Sequence, residues 1–169
     1  MLEIQWLIKG LPILGIGCWL LLAALNNLID AGTNVTLLNR MMSMRDLRED
    51  KKLGQGLLYR TVGSTAYVPL MLKVIAITQL LIASTLILSG FILISLVFKI
   101  GMFSQNEALL ISSCAVLIFM AFWFFFLIGG LWFGYWIKMG NLQSVHFMML
   151  VISMLLQLIL FIPMQTLYF

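Results

Sequence analysis

The sequence has few charged residues, few prolines and cysteines, and a single histidine. Only 9% of its 169 residues are charged, whereas typical soluble domains have about 25%. A soluble fold of this size leaves roughly a third of its unfolded surface in contact with water, and a hydrophobic share of 63% is too high for such a surface. The shortage of charge therefore excludes an ordinary soluble domain and indicates that lipid surrounds the chain.

Other absences exclude particular kinds of chemistry. Cys18 and Cys114 both fall within apolar runs and have no partner at metal-ligand spacing, so we expect small buried side chains rather than a disulfide or a metal site. His146, the only histidine, is a weak metal candidate because Met148 and Met149 are too close along the helix to complete a ligand set. The sequence contains no nucleophile–base pair and no phosphate-binding loop. We therefore expect neither a catalytic set nor a resident cofactor.

Four long, continuous apolar stretches make up most of the chain. They cover about 6–29, 67–98, 108–131 and 145–167. Each is long enough to cross a hydrocarbon core of about 30 Å as a helix, which needs about 20 residues. The stretches are continuous rather than alternating, which argues against a membrane β-barrel. The sequence predicts an all-α integral membrane four-helix bundle in a single domain covering 1–169.

The connection between the first two stretches, 30–66, is polar and holds six of the ten basic and four of the six acidic residues. Because acids are mixed with these bases, the net charge of +4 does not indicate a nucleic-acid partner. Residues 33–42 predict a short amphipathic helix, with Thr33 or Asn34 as its N-cap, that lies in the membrane interface or covers the mouth of the bundle. Its apolar face consists of Leu37, Leu38, Met41 and Met42. The mixed-charge run 45–52 is expected to be solvated.

A group of polar residues closes the first apolar stretch. It consists of Asn26, Asn27, Asp30 and Asn34. On a continuous helix the last three share one face, and polar groups at a membrane boundary are expected to point into protein or water. One interpretation is a pocket for a cation or a polar head group. The interpretation that we favour is helix termination, with Gly32 as the stop and Asp30 paired with Arg40 or Arg60.

A second group combines aromatic rings with glycines in residues 129–136. Its aromatic members are Trp132, Phe133, Tyr135 and Trp136. Rings of this kind are typical of the belt at the membrane interface. The alternative is a surface on which a quinone or a lipid stacks.

The distribution of Lys and Arg bears on orientation. The first and third connections, together with Lys73, carry eight of these residues, and the other side carries only Lys9 and Lys99. The positive-inside rule then places both connections in the cytoplasm and both termini outside.

The polar spacing Asn27-x-x-Asp30-x-x-x-Asn34, followed by Ser43-Met44 and later by Gly130-x-Trp132-Phe133-x-x-Trp136, resembles a bacterial family of predicted small integral membrane proteins of unknown function. The resemblance implies four helices and an address in the inner (cytoplasmic) membrane. It also implies acidic residues at two positions where this chain has Gln79 and Leu131. Relatives place more basic charge in the second connection, which would put the amino terminus in the cytoplasm, so the orientation is left open.

Three functional hypotheses follow. The first is a non-catalytic accessory subunit of a larger membrane complex, bound to lipids and to other integral membrane subunits. It is favoured by the missing catalytic set and by glycines that permit close helix contact, namely Gly15, Gly17, Gly129 and Gly130. The alternative is a protein that binds or transports a small solute, lipid or quinone as a homo-oligomer. The third is a membrane enzyme or redox carrier centred on His146 and Asp30.

Overall fold

The structure, a computed structural model, describes residues 4–64 and 66–163, and all the regular secondary structure within those ranges is helical. In these two ranges, four helices are long and apolar enough to cross a membrane. They are α1 (Ile4–Ile29), α4 (Val68–Ser95), α5 (Gln105–Trp132) and α6 (Gly140–Phe161). The connections contain α2 (Ala31–Met42), α3 (Arg45–Asp50) and two 3₁₀ turns, Gln55–Arg60 and Tyr135–Ile137. The predicted all-α, four-span architecture is confirmed.

The spans begin and end close to the predicted limits, with local reasons for the differences. Helix α5 begins at Gln105, before the predicted 108, because Ser104 and Glu107 form a reciprocal capping box at its first turn. Helix α4 ends at Ser95, and the apolar residues up to 98 form turns instead. Helix α6 already begins at Gly140, and residues 164–167 of the predicted fourth span lie outside the described residues.

Helices α1 and α4 form the tightest pair, and glycines permit their close approach. A Cβ atom at Gly17 would lie 2.8 Å from Cγ1 of Ile87 and 2.9 Å from its backbone nitrogen. A Cβ at Gly90 would lie 2.9 Å from Cβ of Leu14. Lipid tails are as apolar as leucine, so helices in a bilayer associate largely through packing of this kind rather than through the hydrophobic effect.

Two polar residues inside the bundle, Gln157 and Lys9, have partners from neighbouring helices. Gln157 of α6 donates to the hydroxyl of Ser113 on α5. At the end of the bundle that carries the amino terminus, the buried Lys9 donates to the carbonyl oxygens of Leu160 (2.7 Å) and Ile162 (3.2 Å). The last carbonyl groups of a helix lack intrahelical partners. Lys9 therefore satisfies the end of α6 and ties it to α1.

The opposite end of the bundle carries the long first connection and the short third one, which contact each other. Lys138, just before α6, forms an ion pair with Asp50 at the end of α3. The guanidinium of Arg60 donates to the carbonyl oxygen of Trp132 (3.2 Å). The mixed-charge run forms α3, whose charged side chains are largely exposed while Leu47 is buried. These contacts hold the two connections together at one membrane surface.

The end of α1 differs from the prediction in one respect. The chain leaves the helix after Ile29 and re-enters a helix at Ala31, with Asp30 as the single intervening residue and the N-cap of α2. Gly32 therefore lies in the first turn of α2 instead of ending α1, and neither Thr33 nor Asn34 is the N-cap. The amphipathic helix itself is present and ends at Met42, as its periodicity indicates.

Candidate functional site

A cavity of about 390 Å³ lies where α1, α2, α4, α5 and α6 meet, at the end that carries the long connection. Its lining is mostly apolar, and no charged residue is among the described residues that form it. The polar side chains among the lining residues are Asn26, Asn27, Asn34, Gln79 and His146. Four aromatic residues of α5 and its C-terminal end also line it, namely Trp123, Phe125, Phe126 and Phe133. A concave, mainly apolar site with a few convergent polar groups is typical of small-molecule binding.

Three amide side chains form a hydrogen-bonded chain along one side of the cavity. Asn34 Nδ2 donates to Asn27 Oδ1 (2.5 Å), and Asn27 Nδ2 donates to Gln79 Oε1 (2.7 Å). Asn27 and Gln79 are buried, and a buried amide is costly without hydrogen bonds. These two hydrogen bonds link α2, α1 and α4, so they fix the position of α2 over the bundle. They leave the Gln79 amide N–H groups without an acceptor among the described residues.

Aromatic rings surround His146 on the other side of the cavity. Its ring centroid lies 5.0 Å from that of Phe126, 5.6 Å from that of Trp123 and 5.8 Å from that of Tyr135, which stacks on it. Trp123 is 4% exposed and His146 9% exposed. Trp123 Nε1 and His146 Nδ1 have no hydrogen-bond partner in the part of the chain that the structure describes. Two polar atoms of residues that line the cavity, both enclosed by neighbouring side chains, thus lack the partners that buried groups normally have.

Tyr135, in the third connection, packs against this ring cluster. Its ring packs against Gly130, where a Cβ atom would lie 2.5 Å from the tyrosine Cζ. Burial raises the pKa of Tyr135, because the charged phenolate is poorly solvated there. The residue therefore stays neutral and acts as a packing surface for His146.

The amphipathic helix α2 closes the cavity on the side of the long connection. The lining residues that it contributes, apart from Asn34, are Leu37, Leu38, Met41 and Met42. These are the residues predicted to form its apolar face. Helix α4 adds Met71, Leu72 and Ile75 next to them. The part of the prediction that placed this helix over the mouth of the bundle describes the arrangement in the structure.

The polar residues grouped together in the sequence do not all lie at the cavity. Asn26, Asn27 and Asn34 line the cavity. Asp30 is exposed and accepts a hydrogen bond from the Thr33 hydroxyl (2.9 Å). The expected pairing of Asp30 with an arginine is absent, because the two arginines have other partners. Arg40 bonds to Asp46 (2.6 Å), and Arg60 lies 4.5 Å above the ring of Trp132.

The aromatic group predicted at 132–136 is also divided. Phe133 lines the cavity and Tyr135 is buried beside His146. Trp132 and Trp136 are about half exposed, as expected for rings at a membrane interface. Sequence reasoning missed Trp123 and Phe126, because α5 is apolar and aromatic around its whole circumference and no periodicity distinguishes its inner residues.

The chemistry available at the cavity is hydrogen bonding and ring stacking. Within residues 4–64 and 66–163, no group of three or more His, Cys, Asp or Glu side chains has the geometry to hold a metal ion. The polar atoms at the cavity belong to amides, one imidazole and one indole. These groups suit an uncharged polar ligand.

Comparison with known proteins gives one finding. The model of the family described as "Predicted small integral membrane protein (DUF2165)" matches residues 5–163. No match was found among curated proteins or among solved structures.

Proposed function

We propose that this chain, which belongs to the family of predicted small integral membrane proteins, binds an uncharged amphipathic molecule from the bilayer in the cavity between α2 and the four spanning helices. The observation that carries this proposal is the lining of the cavity: apolar and aromatic side chains around a few polar atoms, two of which are buried without partners. A ligand that brings its own polar group would pair with the Gln79 N–H groups, and with the two buried atoms once their rings turn toward it.

Absence of charge restricts the class of ligand. The lining contains no Lys, Arg, Asp or Glu, and transferring an unpaired charge into a site of this kind is strongly unfavourable. A phosphate or ammonium head group would therefore remain at the membrane surface, where Arg40, Arg45 and Lys138 lie on α2, on α3 and before α6. The cavity suits a neutral head group attached to an apolar tail.

Two glycines provide a matched test. A Cβ atom at Gly129 meets no other atom within 4 Å, and the residue lines the cavity, so we expect Gly129→Leu to fill part of the cavity. Gly15 on α1 is equally open but does not line the cavity. We expect native mass spectrometry of the purified protein to show a bound neutral molecule in the wild type and in Gly15→Leu. The molecule should be missing from Gly129→Leu, and equal occupancy in both variants would contradict the proposal.

The role of accessory subunit is the second proposal, and one observation supports it. Among the four glycines expected to permit close helix contact, Gly17 and Gly130 are packed against Ile87 and Tyr135, whereas a Cβ at Gly15 or Gly129 meets nothing. The open face of α1 at Gly15 would admit a helix from another integral membrane subunit. The bacterial inner membrane remains the proposed location, on the resemblance described above.

The same two variants test the second proposal, with Gly15→Leu now as the test and Gly129→Leu as the control. If α1 binds another subunit, Gly15→Leu should reduce the amount of that subunit that co-purifies from native membranes, and Gly129→Leu should not. Unchanged co-purification in Gly15→Leu would contradict a partner on this face. The two proposals are compatible, because they use different surfaces of the molecule.

A further inference from the structure

We infer that the ligand of the cavity is a neutral ring that carries carbonyl oxygens and an apolar tail, which is the chemistry of a quinone. The inference rests on the proposed function and specifies the class of molecule that the cavity takes. It follows from three properties of the lining residues. Their polar groups without partners include hydrogen-bond donors, several of their side chains are flat aromatic rings, and the residues of α2 and α4 form an apolar wall.

The free polar atoms call for hydrogen-bond acceptors on the ligand. An indole nitrogen only donates, and Trp123 Nε1 has no acceptor among the described residues. The amide oxygen of Gln79 is occupied by Asn27, which leaves the Gln79 N–H groups as donors. A neutral imidazole can also donate through Nδ1, the unpartnered atom of His146. A carbonyl oxygen on a ligand would meet the Gln79 N–H groups directly, and it would meet the enclosed Trp123 Nε1 or His146 Nδ1 after a small rotation of that ring, whereas a ligand that offered only donors could not pair with the indole.

The surrounding side chains favour a flat ring. Trp123, Phe126 and His146 lie with their ring centroids 5.0–5.8 Å apart, within the range at which aromatic rings pack. All three line the cavity, and Phe125 and Phe133 add further rings to the lining. An acyl chain gains contact area on such a surface, but a planar ring also gains stacking geometry.

The apolar wall accounts for the tail. Apart from Asn34 and Gln79, the side chains that α2 and α4 contribute to the cavity are leucine, isoleucine and methionine, including Met41, Met42 and Met71. Methionine is flexible and adapts its packing to irregular apolar groups. A tail between this wall and the rings of α5 would continue the contacts of the head group toward the lipid.

Three amphipathic probes distinguish a quinone from other neutral ligands. Decylubiquinone has a ring with carbonyl oxygens, decylbenzene has the ring and tail without carbonyls, and dioctanoylglycerol has ester carbonyls without a ring. We would titrate each into the detergent-solubilised full-length protein by isothermal calorimetry. The inference predicts that decylubiquinone binds more tightly than the other two and that Gly129→Leu abolishes its binding.

Single substitutions then test the donors. Trp123→Phe keeps the ring and removes the N–H, so we expect it to weaken decylubiquinone binding by about tenfold, the effect of one lost hydrogen bond, and to leave decylbenzene binding unchanged. Trp136→Phe, at a half-exposed ring outside the cavity, is the matched control. Gln79→Leu should weaken quinone binding in the same way, and it carries the test if Trp123→Phe does not fold.

Failures of this inference and of the proposed function give different results. If decylbenzene or dioctanoylglycerol binds as tightly as decylubiquinone, and Gly129→Leu abolishes that binding, the cavity is a binding site but the quinone class is wrong. If Trp123→Phe and Gln79→Leu both leave quinone affinity unchanged, the assigned donors are wrong. If no probe binds in a manner that Gly129→Leu removes, both the inference and the proposed function fail.

Discussion

At the residue scale, two adjacent glycines of α5 have opposite surroundings. Gly130 lies against the ring of Tyr135, and Gly129 faces open space. Gly130→Ala must displace that ring, so we expect it to lower the free energy of unfolding by about 1–3 kcal/mol, as overpacking does. Gly129→Ala should leave stability unchanged or raise it slightly, because alanine favours helix. Thermal unfolding of both variants in one detergent makes the comparison, and equal effects would contradict the packing of Tyr135 on Gly130.

A second prediction at this scale concerns Asp50 and pH. The hydrogen bond from Lys138 and those from the backbone N–H groups of Leu53 and Lys52 hold the pKa of the Asp50 carboxyl below its ordinary value of 3.8. A carboxyl with a lowered folded-state pKa stabilises the fold above its unfolded pKa, and this stabilisation is lost as the pH falls through the folded pKa. We therefore expect Asp50→Asn to lower the melting temperature near neutral pH.

The difference between Asp50→Asn and the wild type should shrink below about pH 4, where the Asp50 carboxyl of the unfolded chain begins to be protonated, and disappear below the folded-state pKa. Melting temperatures of both proteins between pH 7 and pH 2.5 measure this convergence. Lys138→Met should reproduce the loss near neutral pH, because it removes the main partner of Asp50. A constant difference at every pH would show that the ion pair does not stabilise the fold.

At the scale of elements, Lys9 joins α1 to the end of α6. Its ammonium group occupies two carbonyl oxygens at that end, and it is 5% exposed. Lys9→Met keeps most of the side-chain volume but leaves those oxygens without a donor, so we expect a loss of about 1–3 kcal/mol of stability. Lys52→Met, at an exposed position in the long connection, should cost little. Unfolding of the two variants in the same detergent tests the contact, and equal stability would contradict it.

The four spanning helices and α2 were predictable from the sequence for physical reasons. A chain in lipid must satisfy its backbone hydrogen bonds within each segment, so an apolar run of the right length predicts a helix with few alternatives. Helix α2 has a polar and an apolar face, and its periodicity therefore indicated both its extent and the side that it presents to the bundle. Its start was wrong because Asp30 alone, rather than a longer linker, separates it from α1.

The candidate site was predicted only in part, and the reason lies in the spanning helices. The amides at Asn26, Asn27 and Asn34 were conspicuous in an apolar background, and the structure places all three at the cavity. Trp123 gave no such signal, because α5 is apolar on the side facing lipid as well as on the side facing protein. Membrane helices lack the contrast between faces that reveals inner residues in soluble proteins.

At the scale of the whole molecule, charged and neutral polar side chains lie in different places. Most of the charged side chains lie in the first connection, where several neutralise one another, as in Arg40–Asp46 and Arg45–Glu49. The cavity directly beneath them contains none. Among the described residues, charges thus concentrate in this connection, and the lining of the adjacent cavity consists of neutral side chains. This separation is the physical basis for proposing an uncharged ligand that enters from the bilayer.

The central claim is that the cavity between α2 and the spanning helices holds an uncharged amphipathic molecule. A crystal structure of the protein grown from a lipidic mesophase and supplied with decylubiquinone tests it most directly. The account predicts density for the ring beside Trp123 and Phe126, with an oxygen within hydrogen-bond distance of the indole nitrogen. A cavity closed by α2 packed directly onto the rings of α5, with the quinone found only among the surrounding lipids, would contradict it.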